Sequence, residues 1–329
     1  MSTPTSFPAS IEAAAPEQLQ TAGDPRAGLQ ICETIPDTRA ALRALRARAG
    51  VNSLLGLVPT MGALHEGHVS LIRAAKAQCE VVAVSLFVNP TQFAPGEDLQ
   101  TYPRTFDADC ALLRAEGVDL LFAPTPEAMY PASEEFREGS QTWVDVPGVG
   151  SRLDGRSRPG HFRGVATVVS KLFHIVAPDV AFFGQKDAAQ VAVLRAMVRD
   201  LNFAVKLAVC PTVREPDGLA LSSRNRFLSA EERTQALAIP QALETARTLA
   251  ATGCESPRLL EEMLRAALNR APGLRLDYAE VVDPDTLLPV ADLRGGALLA
   301  VAAHVGSTRL IDNVLLEAMN TGRTSEGSR

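Results

Sequence analysis

The sequence predicts an α/β protein: a Rossmann-like, mostly parallel sheet domain followed by a smaller α+β C-terminal domain. Up to about residue 213, short apolar runs alternate with helix-like stretches, the order that produces a parallel sheet covered by helices. Beyond that point long Ala/Leu/Glu/Arg stretches and two further apolar runs take over. With 46% hydrophobic and 21% charged residues, the chain has ordinary globular proportions and can bury a substantial core.

The elements of the predicted sheet domain follow one another in alternating order. Residues 81–88 (VVAVSLFV) are apolar enough for a strand buried on both faces. Residues 69–79 place apolar side chains at helical spacing. Gly117 and Pro178 mark the ends of two helices. The other predicted strands are residues 53–58, 119–123, 180–183 and 204–209, and the other helices are residues 107–116, 164–175 and 188–201.

The remaining elements predict the second domain. Residues 230–251 and 257–271 are expected to be long helices, and residues 277–282 and 297–303 strands of a small sheet. The resulting organisation is a sheet domain over residues 29–212 and a C-terminal lid domain over residues 213–318. Residues 1–28, rich in Ala, Pro, Ser, Thr and Glu, and residues 319–329 are expected to be flexible tails.

Composition excludes several classes of function. A formal net charge of -6 without a basic block argues against a nucleic-acid binder. The sequence has no apolar run near the ~20 residues that cross a bilayer, and its start lacks the pattern of a secretory signal. The five cysteines are scattered and form no CxxC pair, which argues against a disulfide framework or zinc site and suits a reducing cytoplasm.

The strongest chemical signal is the segment PTMGALHEGH, residues 59–68, between a predicted strand and a helix. Gly62 and Gly67 allow close backbone approach, and the helix N-terminus carries free N–H groups and partial positive charge. His65 and His68 lie on the same side of the first turn. This set predicts a phosphate site in which His68 donates a proton or hydrogen bond to departing pyrophosphate. The alternative is a pair of histidines that only cap the helix; HxxH spacing disfavours a metal site.

A second segment, residues 183–187 (FGQKD), also lies where a predicted strand meets a helix. Lys186 is a mobile cation that can reach phosphate oxygens. Asp187 can accept hydrogen bonds from ribose hydroxyls, or it can simply cap the following helix. Gln190 lies one helical turn further on.

A third segment, residues 221–224 (LSSR), follows a glycine-flanked turn. Two hydroxyls and a guanidinium suit the tail phosphates of ATP, and a loop that brings charge from outside the main sheet can close as a lid. Serine-rich loops are common, so the segment alone is not specific.

Two further segments stand beside these. Gln92, directly after a predicted strand, offers a donor and an acceptor on one head and suits a hydroxy acid. The alternative for residues 89–93 is an ordinary Asn-Pro turn. Residues 157–162 (SRPGHF) either add charge near the site or form only a turn.

At these residues the chain resembles the pantothenate synthetase (pantoate–β-alanine ligase) family. The resemblance runs from about Ile31 to Asn313. It rests on motifs in a fixed order: PTMGALHEGH, FVNPTQF, YPRT, RPGHFRGVATVV, FFGQKD, PTVRE, GLALSSRNRFL, DYAEVVDPDTL and GSTRLIDN. The family belongs to the HxGH nucleotidyltransferase-like superfamily, whose nucleotide site is related to that of class I aminoacyl-tRNA synthetases.

The resemblance implies a role for each matching residue. His68 would be the proton donor, with His65 and Lys186 as the other catalytic groups. Gln92 would bind pantoate and β-alanine, and Gln190 pantoate. The implied ATP site comprises Met61, Gly62, Ala63, Leu64, His65, Glu66, Gly67, His68, Gly184, Gln185, Lys186 on phosphate, Asp187 on ribose, Val213 against adenine through its backbone, Leu221, Ser222, Ser223 and Arg224.

The implied reaction has two halves. The carboxylate of pantoate attacks the α-phosphorus of ATP and pyrophosphate leaves; the amine of β-alanine then attacks the acyl-adenylate, giving pantothenate and AMP. The resemblance further implies Mg²⁺ with ATP, a homodimer and a cytoplasmic location. The charge and the lack of a long apolar run predict no nucleic-acid or membrane partner.

Two alternatives and one departure accompany this hypothesis. Another nucleotidyltransferase of the superfamily would adenylylate a phosphate ester, but the glutamines of FVNPTQF and GQKDAAQ resemble an acid site. A regulatory module would bind ATP without turnover, and the intact motifs argue against it. His304 stands where the family often has Arg; being far from the motifs along the chain, it is expected to have no functional weight.

Overall fold

The computed structural model describes residues 28–94, 96–97, 99–131 and 142–318. Apart from Gly28, the two predicted tails lie outside the described residues. Within those residues, each helix is too short or too polar to span a bilayer.

The first sheet contains six strands in the order β1-β4-β3-β2-β5-β6, and all of its pairings are parallel. Its strands are β1 (Gln30–Cys32), β2 (Leu55–Thr60), β3 (Val81–Leu86), β4 (Leu120–Phe122), β5 (Val180–Gly184) and β6 (Lys206–Cys210). The order reverses between β2 and β5, so the chain leaves these two neighbours in opposite directions. Ligands of parallel sheets bind at such a switch point, outside the carboxyl ends of the strands.

Helices cover both faces of this sheet, as a parallel sheet requires. They are α1 (Ile35–Ala49), α2 (Glu66–Lys76), α3 (Phe106–Ala115), α4 (Pro126–Met129), α5 (Pro147–Gly150), α6 (Asp154–Ser157), α7 (His161–Val176) and α8 (Ala188–Asp200). The longest of them, α7, buries twelve of its residues and forms the centre of one layer. The predicted α/β class is therefore confirmed.

Two elements at the start of the sheet were not predicted. Strand β1 has only three residues and is too short to show a period. Helix α1 fully buries only Thr38, Ala41 and Leu42, and Ile35 and Leu45 are partly buried against the core, so its apolar stripe is narrow. Its start was nevertheless visible in the sequence, because Thr34 caps the helix and Pro36 occupies its first turn.

The second sheet is antiparallel, with the order β7-β8-β9. Its strands are β7 (Leu274–Val282), β8 (Ala297–Val305) and β9 (Thr308–Leu316). Strand β9 was not predicted, because Arg309 and Asp312 interrupt its apolar pattern. The helices beside this sheet are α9 (Ala230–Ala236), α10 (Ala238–Ala251) and α11 (Pro257–Arg270).

The single helix predicted over residues 230–251 is wrong: it is two helices that meet at Leu237. Pro240 explains the break, since it has no N–H for the carbonyl of Ala236 and its ring crowds that carbonyl. Proline is tolerated there because it falls in the first turn of α10.

Strand β8 joins the two halves of the molecule. Successive side chains of a strand point to opposite faces. Leu298, Ala300 and Ala302 pack into the core of the first sheet, whereas Leu299 and Val301 pack into a core with α10 and α11. The second sheet is thus covered on both faces, which explains why β8 is almost continuously apolar. The domain boundary near residue 213 stays a prediction.

Candidate active site at the switch point

Two turns leave the carboxyl ends of the paired strands β2 and β5. Strand β2 pairs with β5 in parallel through Gly56 and Leu57. The chain after β2 runs through the HxGH turn (residues 61–68) into α2, and the chain after β5 runs through the QKD turn (Gln185–Asp187, a 3₁₀ turn) into α8. Because the strands are neighbours, the turns meet at the switch point.

The HxGH turn caps its own helix. His65 is the N-cap residue of α2, and its Nδ1 accepts from the N–H of Gly67 at 3.1 Å. In return, the Nδ1 of His68 accepts from the N–H of His65 at 3.2 Å. This is a capping box made of two imidazoles instead of Ser and Glu. The helix-capping alternative is therefore correct in its geometry, and it leaves both Nε2 atoms for another partner.

The capping box fixes the tautomer of both rings. A neutral imidazole has one donor and one acceptor nitrogen. Since each Nδ1 accepts from the backbone, each Nε2 carries the hydrogen. Burial, followed by the charge of Lys186, lowers the pKa of His65 to about 4. Burial, followed by His65, lowers the pKa of His68 to about 3. At neutral pH both rings are therefore uncharged Nε2–H donors, with centroids 4.1 Å apart.

Asp109 of α3 supports the first half of the HxGH turn. Its carboxylate accepts from the N–H of Ala63 at 3.0 Å and from the N–H of Leu64 at 2.8 Å. The support is needed because Gly62 and Ala63 both have positive φ, 86° and 51°. Asp109 is 3% exposed. It was missed in the sequence, although an acidic residue on the buried side of a helix is a signal that could have identified it.

The QKD turn carries Lys186, the lysine that is predicted to bind phosphate. Nζ of Lys186 lies 3.5 Å from the carboxylate of Asp187, and the side chains are 21% and 46% exposed. Asp187 occupies the N-cap position of α8 without a side-chain capping bond. The capping alternative for Asp187 is thus wrong, which leaves the carboxylate available to a ligand.

A cavity of about 1150 Å³ opens beside this turn. From the predicted site it is lined by Lys186, Asp187, Gln190, Ser222 and Arg224. This volume exceeds ordinary small-ligand pockets of ~300–1,000 Å³, so it has room for a nucleotide and a second small molecule.

The Ser222–Arg224 segment is ordered as a helix, not as the open loop that was expected. Ser222 caps a 3₁₀ helix over Ser223–Phe227 by accepting from the N–H of Arg224 at 3.3 Å. Buried Asn225 anchors this helix by donating to Glu215 at 2.7 Å and to the carbonyl of Ala220 at 3.1 Å.

Gln92 lies in a 3₁₀ turn, Pro90–Gln92, after β3. Its Nε2 contacts Sδ of Met61 at 3.0 Å, and its Oε1 accepts from Nδ2 of Asn89 at 3.1 Å. Asn89 is 1% exposed and also donates to the carbonyl of Gly164 at 3.2 Å. The Asn-Pro turn is present, and it orients the amide of Gln92 toward the HxGH turn.

The SRPGHF segment is more than a turn, because Arg158 and His161 line the cavity. Arg158 pairs with Glu97 at 2.5 Å and donates to Nε2 of His161 at 3.0 Å. Arginine only donates, so Nδ1 of His161 carries the hydrogen and donates to the carbonyl of Gln92 at 2.8 Å. Burial, followed by Arg158, lowers the pKa of His161 to about 4.

Some predicted site residues stand apart from the cavity. Among the described residues its lining does not include Gln92, His65 or His68. The HxGH turn is nevertheless nearby, because a Cβ on Gly67 would lie 4.0 Å from Leu221, whose neighbours Ala220 and Ser222 line the cavity. The side chain of Glu66 points outward and pairs with Arg73 at 2.7 Å.

Val213 lies outside the cavity lining, whereas His304 lies within it. The carbonyl of Val213 already accepts from the N–H of Leu221 at 2.9 Å. The expectation for His304 is wrong in its premise. Strands β7, β8 and β9 bring Arg275, His304 and Arg309 into one cross-strand row, and all three line the same cavity as Lys186. Distance along the chain is not distance in the fold.

Comparison with known proteins identifies the family. A profile of the pantoate-beta-alanine ligase family matches residues 30–315. The chain is 58% identical to the pantothenate synthetase of Acidobacterium capsulatum, over 86% of this chain and 96% of the relative. It is 55% identical to the pantothenate synthetase of Koribacter versatilis, over 90% and 98%.

Solved structures agree. A pantothenate synthetase from Thermus thermophilus superimposes with a TM-score of 0.80 at 46% identity, covering 87% of this chain and 99% of that one. The pantoate-beta-alanine ligase of Francisella tularensis, solved with beta-gamma ATP and beta-alanine, gives 0.69 at 34% identity, covering 87% and 97%. The chain therefore belongs to the pantoate-beta-alanine ligase family.

Proposed function

We propose that this chain condenses (R)-pantoate with β-alanine, consuming ATP and releasing AMP and pyrophosphate by way of a pantoyl-adenylate. The observation that carries the proposal is that the HxGH turn and the QKD turn lie together at the switch point. Two uncharged Nε2–H donors on one turn and a lysine on the next belong to a chain whose family match spans nearly its whole described length.

In the first half-reaction the carboxylate of pantoate attacks the α-phosphorus of ATP. Negative charge builds on the phosphate oxygens, and the groups that neutralise it would be Lys186, Ser222, Ser223 and Arg224 together with the two histidines. Donors held in place before the reaction stabilise such charge without reorganising. Residues 61–68 and 184–187, with Val213 and Leu221, would complete the ATP site.

The histidines would act as hydrogen-bond donors. An imidazolium acid would need a pKa near the working pH, whereas these rings have pKa values of about 4 and 3. A neutral Nε2–H can still stabilise the departing pyrophosphate. This refines the role of His68 from proton donor to hydrogen-bond donor.

Mg²⁺ fits as a companion of the nucleotide. The described residues contain no group of three or more His, Cys, Asp or Glu side chains that could cage a metal ion. Magnesium usually keeps several waters and binds to substrate phosphates with one or two carboxylates. Because Asp187 is assigned to ribose, the metal would be held mainly by the phosphates of ATP and by waters. When bound with ATP, Mg²⁺ would supply positive charge to the phosphates.

In the second half-reaction the amine of β-alanine attacks the acyl carbonyl of the adenylate and AMP leaves. Gln92 would hold pantoate and contact β-alanine, and Gln190 would hold pantoate from the cavity wall. No covalent enzyme intermediate is required, because positioning and charge stabilisation can supply the acceleration. Residues 213–318 would act as a lid that shields the adenylate from water. A homodimer and a cytoplasmic location complete the proposal, on the strength of the family resemblance.

Product analysis with ATP and Mg²⁺ tests the proposal. Pantoate and β-alanine are added separately and together, and AMP, pyrophosphate and pantothenate are measured. The expected result is AMP and pantothenate in equal amounts only when both acids are present. Turnover of a phosphate ester without pantoate would point to the other nucleotidyltransferases, and ATP binding without turnover to a regulatory module.

A further inference from the structure

The turn that carries Lys186 is held by a strand that lies far away in the chain. Nδ2 of Asn313, on β9, donates to the carbonyl of Gln185 at 3.0 Å and to the carbonyl of Lys186 at 2.9 Å. Its Oδ1 accepts from Nε2 of Gln185 at 3.0 Å. Asn313 is 5% exposed. One buried amide thus makes three hydrogen bonds to a single turn and fixes its backbone at two consecutive residues.

The preceding residue of β9 holds the neighbouring segment. The carboxylate of Asp312 accepts from both terminal nitrogens of Arg214, at 2.7 and 2.9 Å. It also accepts from the N–H of Asn313 at 2.8 Å. Arg214 follows β6 and Gln185 follows β5, and these strands are paired in parallel. Two consecutive residues of β9, the β9 clamp (Asp312 and Asn313), therefore tie together the carboxyl ends of two adjacent strands of the other sheet.

We propose that Asn313 is a positioning residue for the adenylation step: through the carbonyls of Gln185 and Lys186 it sets where the ammonium group of Lys186 meets the phosphates. The inference deepens the proposed function and rests on it. The chemistry demands an amide, since one head must donate twice and accept once, and a carboxylate has no hydrogen to donate. The second sheet would thus take a direct part in building the nucleotide site.

The test is single-turnover formation of pantoyl-adenylate from ATP and pantoate. Asn313→Asp keeps the size of the side chain but turns an oxygen toward two carbonyls. Asn313→Ala removes all three hydrogen bonds to the QKD turn and leaves Asp312 paired with Arg214. Both variants are expected to form the adenylate about tenfold to hundredfold more slowly, since a displacement of ~1 Å at a reacting group costs on the order of a hundredfold.

A double-mutant cycle separates positioning from general damage. If Asn313 acts through Lys186, then Asn313→Asp added to Lys186→Ala should slow the reaction less than about twofold further, because coupled residues are not additive. Glu280→Gln is the matched control. It weakens the ion pair between Glu280 and Arg156 (2.5 Å), which also joins the two parts of the molecule but does not touch the QKD turn. It should leave the rate unchanged.

Three results would overturn the inference. They are a wild-type rate in folded Asn313→Asp, an equal loss with and without Lys186, or an equal loss in Glu280→Gln. If neither Asn313 variant folds, Asn313→Ser replaces them, since its hydroxyl can donate to only one of the two carbonyls. A slowing of about threefold or more supports the role of Asn313, and an unchanged rate refutes it. The wild-type protein in the same assay tests the proposed function, because failure to form any adenylate would refute that function whatever the variants do.

Discussion

The two turns at the switch point are built in different ways. The second half of the HxGH turn is held by hydrogen bonds within the turn itself, which the side chains of His65 and His68 make to its backbone. The QKD turn has no side-chain cap of its own and depends on Asn313, 127 positions from Lys186. One site therefore combines a turn that is stabilised by its own residues with a turn that is stabilised by contacts from the second sheet.

The largest effect on the rate is expected from removing the ammonium group of Lys186. Lys186→Ala should slow adenylate formation by about a hundredfold or more, the scale for removing one preorganised group that stabilises developing charge. Single-turnover kinetics measure it. Lys206→Ala, an exposed lysine at the start of β6, is the control and should behave as wild type. Adenylate formation at the wild-type rate in Lys186→Ala would remove Lys186 from the site.

His68→Ala tests the self-capped turn. It removes a neutral donor and also the acceptor for the N–H of His65. We expect adenylate formation to slow by about a hundredfold and the free energy of unfolding to fall by about 1 kcal/mol, the usual cost of a lost cap. Quench-flow kinetics and urea titration measure the two effects. His174→Ala, on the exposed side of α7, is the matched histidine control; an unaffected rate in His68→Ala would contradict the assignment.

Asp109→Asn tests the support that the HxGH turn receives from α3. An amide can accept at only one of the two positions where the carboxylate now accepts from Ala63 and Leu64. One buried N–H would then lose its partner, which costs about 1–3 kcal/mol. Urea titration should show this loss, together with a smaller drop in adenylate formation than in His68→Ala. A drop as large as that of Lys186→Ala would show that this turn, too, is built mainly from a distance.

Acid should lower the stability of the folded protein through three partly buried histidines of the site region. His65, His68 and His161 have lowered pKa values of about 4, 3 and 4 in the folded chain, whereas in the unfolded chain they titrate near 6.5. Between these values the unfolded state binds more protons, so stability falls as pH is lowered from about 6.5 toward 4 and is regained as pH rises.

Urea titrations at several pH values test this dependence. Replacing His161 by Gln should make the decline shallower in that window, since one titrating group is lost. A decline of unchanged steepness would contradict the assignment for His161.

The comparison of the turns also explains what the sequence could predict. The α/β class, both turns and the lysine follow from local patterns: apolar period, glycines, and histidines at helical spacing. Asn313 and the cavity position of His304 do not, because each depends on a contact that only the fold creates. Asp109 is visible only as an acidic residue on the buried side of a helix, and its partners are not. Strand β9 was not predicted for a different reason: Arg309 and the two residues of the β9 clamp interrupt its apolar pattern.

The most direct test of the account is a quench-flow experiment with ATP, Mg²⁺ and pantoate but without β-alanine. We expect a burst of pyrophosphate stoichiometric with the protein, a bound pantoyl-adenylate, and no AMP until β-alanine is added. Pyrophosphate release that requires β-alanine, or AMP formed without pantoate, would contradict the adenylate route and the roles assigned to both turns.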